Sequence, residues 1–136
     1  MLPRRASKAT LVEDSRPRYP LLYPDAPPEP GDAKAGDWRG RRFGAVLAFT
    51  DALLWGREIQ ICCDVLRAGE LTAQEVGEGA TLSKTQNVPY HSGCADFLYA
   101  AEHPEPRFGA GAFDVALSAV FGALTERPLE ALIRVC

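Results

Sequence analysis

His91 and Asp96 flank the short turn Gly93-Cys94-Ala95 inside the run from Ser83 to Phe97. Imidazole nitrogen and carboxylate oxygen both suit zinc, so the pair reads either as two ligands of one ion or as a hydrogen bond closing a loop. The stretch from Gly77 to Gly93 is polar, glycine-rich and interrupted by Pro89, as a surface loop would be, and functional residues gather on such loops. Three other side chains have simpler readings. Arg67 closes a predicted strand, where a surface salt bridge accounts for it. Asp114 opens a predicted helix, where the helix dipole favours a carboxylate. His103 stands beside Pro104 and reads as a turn residue.

The elements that position these residues follow from hydrophobic spacing. Phe43, Val46, Leu47, Leu53 and Leu54 recur at steps that include three and four residues before Gly56, which predicts an amphipathic helix. From Glu58 to Leu66 the pattern alternates, with Ile59, Ile61, Cys63 and Val65 on one face, which predicts a strand. A short helix is expected over Glu70 to Val76 and a second strand over Ala95 to Ala100, with Pro104 and Pro106 forcing a turn. Phe113, Ala116, Leu117, Val120, Phe121 and Leu124 share one helical face, so 112–124 should be a helix. A last helix is expected to carry Pro128 in its first turn, where proline is tolerated. The sum is a small α/β (α+β) domain, a short sheet packed by amphipathic helices.

Seven of the eleven prolines lie between Pro3 and Pro30, so residues 1–36 read as an extended or disordered arm and 37–136 as the globular domain. Tyr19, Leu21, Leu22 and Tyr23 place apolar bulk in that arm, able to dock on the domain itself or on a partner. With 136 residues the chain has length for one core and not two. Its net charge of −3, with 15 basic and 18 acidic residues interspersed, creates no field that would gather nucleic acid or anionic lipid. No apolar stretch approaches the roughly 20 residues of a bilayer span, and Arg4 and Arg5 lack the apolar run of a signal peptide behind them. A cytoplasmic protein is the expectation. Cys62, Cys63, Cys94 and Cys136 contain no C-x-x-C pair and read as reduced, inert thiols.

From Phe43 to Asp114 the chain resembles the M15 family of zinc peptidases, the D-alanyl-D-alanine peptidase and phage L-alanyl-D-glutamate endolysin type. The likeness rests on Leu54-Trp55, Asp64-Val65-Leu66-Arg67, Gln74, Ser83 to Asn87 leading into His91, Gly93, Ala95 and Asp96, and His103 to Gly109 with Phe113-Asp114. It implies zinc held by His91 and Asp96, with His103 as the further candidate ligand because Leu117 occupies the family's third-ligand position. It also implies Asp114 as the carboxylate that activates water and Arg67 as the oxyanion-stabilising cation. The implied reaction is hydrolysis of a peptidoglycan amide bond by a divergent enzyme, or by a pseudoenzyme that has lost its metal. Gly93 to Glu102 is also similar to the first motif of trimeric dUTPases, over a much shorter stretch.

The alternative from a different class is a non-catalytic viral or assembly protein, docking on a partner through the N-terminal arm and the apolar C-terminal helices.

Overall fold

The computed structural model describes residues 40–49 and 51–133; the proline-rich arm expected over 1–36 lies outside them, as does Cys136. Strand β1 (Val46–Ala48) leads through helices α1 (Trp55–Leu66) and α2 (Ala73–Gly77) to β2 (Tyr90–Ser92). A hairpin of β3 (Leu98–Tyr99) and β4 (Arg107–Phe108) follows, then helix α3 (Ala110–Thr125) and strand β5 (Ala131–Ile133). Strands β1, β2 and β5 form one parallel sheet in that order, and β3 pairs with β4 antiparallel. The architecture is a small α/β domain, as the sequence implies. Among the described residues no helix is long and apolar enough to cross a membrane.

The strand expected over 58–66 is instead α1. Ile61 and Val65 are four apart, and Ile59, Cys62, Cys63 and Leu66 fall on three- and four-residue steps, so the same residues satisfy a helical period. The choice is settled by burial: Ile61, Cys63, Val65 and Leu66 all enter the core. Glu58 reaches back to accept a hydrogen bond from the Leu54 amide at 3.0 Å, relieving one of the orphan donors at the helix start. The helix expected over 43–54 is replaced by β1 and a loop. The helix expected after Pro128 is replaced by β5, which pairs with β2.

Helix α2 is shorter than expected but has a defined start. Thr72 Oγ1 accepts from the Glu75 amide while Glu75 Oε2 accepts from the Thr72 amide, a reciprocal capping box. Helix α3 matches its expectation closely. It ends on Glu126 in a left-handed conformation, φ 59°, which lets the Glu126 amide donate to the Gly122 carbonyl.

Two parallel crossovers that step the same way across a sheet, each with the usual right hand, bring their helices to the same face. Cys63 and Leu66 from α1 accordingly share one core with Phe113, Leu117 and Phe121 from α3, closed against Tyr90. Leu47, His91 and Leu132 lie in register on the opposite face. The last strand is held by a side chain as well. Gln86 donates to the Glu130 carbonyl at 2.9 Å and accepts from the Glu130 amide at 2.8 Å, extending the ladder by one rung.

Candidate functional site

Ligands of open parallel sheets bind outside the carboxyl ends of the strands, and here the loops leaving β1 and β2 meet at that edge. The Gly93 amide donates to the Ala48 carbonyl at 2.8 Å, carrying the pairing one residue beyond β2. Ser92 is buried and its Oγ donates to the Cys94 carbonyl at 3.1 Å, which closes the turn. The start of α3 is seated on the same loop: Gly109 donates to the Phe97 carbonyl and Gly111 to the Asp96 carbonyl, both at 3.0 Å. A Cβ at Gly109 or Gly111 would run into the carbonyl oxygens of Asp96 and Ala95 respectively, so only glycine permits this seating.

The residues singled out by sequence are distributed over several parts of the fold. His91 sits in the middle strand between two buried neighbours, so the pleat sends its ring to the face opposite Tyr90. Asp114 is on Tyr90's side, buried in the first turns of α3. Asp96 is exposed on the loop after β2. His103 is exposed in the hairpin turn, where its Nδ1 accepts from the Glu105 amide at 3.1 Å. Arg67 follows α1, which runs back to the amino edge of the sheet, where the Asn87 amide donates to the Leu66 carbonyl. Its guanidinium donates to the Ser83 carbonyl at 2.5 Å and the Leu82 carbonyl at 3.4 Å, tying down the 80–87 loop. Among the described residues no three His, Cys, Asp or Glu side chains are grouped to hold a metal ion. His91, Asp96 and His103, as placed, therefore do not fit a shared zinc ion.

One pairing that the sequence analysis missed is Tyr90 with Asp114. The phenol donates to Asp114 Oδ1 at 2.5 Å inside the core. Burial, and then the carboxylate it faces, raise the tyrosine's pKa well above its ordinary value. Burial also pushes the neighbouring Cys62 thiol up to about 12 and Cys63 up to about 11. Both cysteines are thus neutral thiols without nucleophilic character near neutral pH. Tyr90 and Asp114 are 24 residues apart in sequence, and no local motif joins them.

Beside Arg67 the surface carries a shallow groove of about 610 Å³, lined in part by Gly69, Leu71, Leu82 and Asn87. At the other end of the domain lies a cluster of rings. Phe108 stands 6.1 Å from Trp55 and 6.0 Å from Phe97 between centroids, and Trp55 meets Phe113 edge-on at 5.8 Å. Phe97 and Phe108 are largely exposed. The sequence marks this cluster only as scattered aromatic residues, because it forms through the hairpin.

No family model matches the chain. It is 33% identical over 93 residues to a Schizosaccharomyces pombe protein described as a cardiolipin synthase (CMP-forming) / mitochondrial hydrolase fusion protein. The match covers 66% of this chain and 14% of that relative, so the chain spans a small part of the relative's length.

Proposed function

We propose that the chain is a protein-interaction domain on a small α/β scaffold, docking through the apolar side chains of its hairpin. The observation that carries this reading is the exposed apolar surface. Phe97, Leu98, Tyr99 and Phe108 are all open to solvent at the hairpin, with the Phe97 and Phe108 rings 6.0 Å apart between centroids. Contiguous apolar patches on a soluble domain mark interaction sites, and aromatic side chains dominate the energetics of such sites.

The test compares the full chain with a Phe97→Ser/Phe108→Ser variant as bait for protein from a cell lysate, with retained proteins identified by mass spectrometry. A partner kept by the parent and depleted about tenfold by the variant supports docking through the hairpin. Capture that is equal in both, or absent from the parent, overturns it.

The identity with a chain named for a hydrolase favours one second reading, hydrolysis at the carboxyl edge of the sheet. Its zinc-peptidase form would need His91, Asp96 and His103 to converge from the sheet, the loop and the hairpin turn. Zinc titration of the parent beside His91→Ala and Asp96→Ala decides that form: stoichiometric binding lost in both variants supports it, and no binding in the parent removes it.

A further inference from the structure

We infer that residues 19–23 of the chain's own N-terminal segment cover the face of the parallel sheet that the helices leave open. Three observations lead there. First, Leu47 and Leu132 are 53% and 60% exposed, and they stand in register on either side of His91. The Phe49 ring, also exposed, lies over Gly93 and extends the same face toward the carboxyl edge. All-parallel sheets are almost always covered on both faces, because their strands carry apolar side chains on both.

Second, the chain outside the described residues leaves from the right place and is long enough. Arg42 bridges to Thr72 and the Ala73 amide donates to the Arg41 carbonyl, so the chain departs at the amino end of β1, an edge strand of this sheet. Sixteen residues separate Tyr23 from Gly40. At about 3.3 Å per extended residue they span about 50 Å, whereas three strands about 4.8 Å apart make a face only about 10 Å across.

Third, the segment has the composition for it. Tyr19, Leu21, Leu22 and Tyr23 place four large apolar side chains in five positions, between Arg16 and Arg18 on one side and Asp25 on the other. Pro17, Pro20 and Pro24 are incompatible with a helix interior, a composition suited to lying along a sheet. The tyrosine hydroxyls give this segment polar groups to set against His91, the one polar side chain in the register row.

The experiment places a benzophenone amino acid at position 22 of the full chain, irradiates it, and maps the product by tryptic mass spectrometry. The expected result is a cross-link within one chain to peptide 43–57, at a residue of β1, or to peptide 108–134, at a residue of β5, the attachment residue being read from fragment ions because Pro128 blocks cleavage after Arg127 and leaves α3 and β5 in one peptide. A Leu132→Asp substitution, at an exposed site that the fold tolerates, should reduce that cross-link about tenfold by placing a charge against apolar side chains. Cross-links between two chains would assign the face to a second copy and overturn the proposal. Cross-links to the hairpin or α3, or none at all, would overturn it equally. The companion variant Leu21→Ser/Leu22→Ser leaves the described fold untouched and should raise the reactivity of His91 toward an imidazole-modifying reagent; unchanged reactivity would count against the proposal.

Discussion

Val46, Tyr90 and Ala131 lie side by side on one face of the sheet, and Leu47, His91 and Leu132 lie side by side on the other. The two rows are one residue apart on the same strands, so the pleat alone decides which row each residue joins. The first row is sealed by α1 and α3 around Tyr90, Leu117 and Phe121, which are fully buried. The second row meets no element among the described residues and keeps its leucines exposed. The lesson is that α1 and α3 seal only one face of this three-stranded sheet, so the other must find its cover outside the described residues.

The sharpest way to break that comparison is to truncate one side chain on each face. Phe121→Ala or Leu117→Ala should cost about 3–5 kcal/mol in chemical denaturation, through lost burial and the cavity left behind. Leu132→Ala, on the face that only residues 19–23 are inferred to cover, should cost less, about 1 kcal/mol. Equal losses would mean that the open face is as firmly packed as the closed one.

A smaller effect is expected where the closed face carries its polar pair. Asp114→Ala strands the buried Tyr90 hydroxyl and should cost about 1–3 kcal/mol, while His91→Ala, on the neighbouring strand position, should stay under about 1 kcal/mol. Restoration of stability by Tyr90→Phe in the Asp114→Ala background would identify the stranded hydroxyl as the cause.

The closed face should also show itself in alkali. Cys62 and Cys63 are held neutral by burial, with pKa values raised from 9.0 to about 12 and about 11. The unfolded chain ionises these thiols first, so stability present below pH about 9 is lost as pH rises through the window to about 12. Denaturation midpoints measured across that window should fall, and Cys62→Ala should flatten the decline.

The least effect belongs to a residue on neither face. Glu126 holds φ 59° at the end of α3 without the freedom of glycine. Glu126→Gly should therefore raise stability by up to about 1 kcal/mol, read as a small increase in Tm. A decrease would mean that the glutamate side chain contributes more than its backbone strain costs.

How far this comparison was legible in sequence depends on the range over which each signal acts. Helix α3 was readable because Phe113, Leu117 and Phe121 repeat at four-residue steps and nothing competes with that period. Helix α1 is ambiguous in sequence because Ile59, Ile61, Cys63 and Val65 fit period two while their neighbours also fit a helix, and only packing against α3 separates the two. Strand β2 was absorbed into a loop because Pro89 and the polar run before it dominate the local signal, although Tyr90 becomes the centre of the core. The candidate site was less legible still. His91 and Asp96 are five residues apart in sequence, one in strand β2 and the other on the exposed loop after it, whereas Tyr90 and Asp114 meet only through folding.

The Gln86 amide, paired at both ends with the backbone of Glu130, acts as a surrogate residue of the sheet. Strand β5 is short and lies at the sheet's edge, where a strand can exchange between molecules. The two Gln86 bonds form only in one alignment, since sliding the strand by one residue would present the wrong backbone groups. Gln86 thus serves as a latch that keeps each molecule's β5 at home, and its removal would register as a tendency to swap strands before any loss of fold.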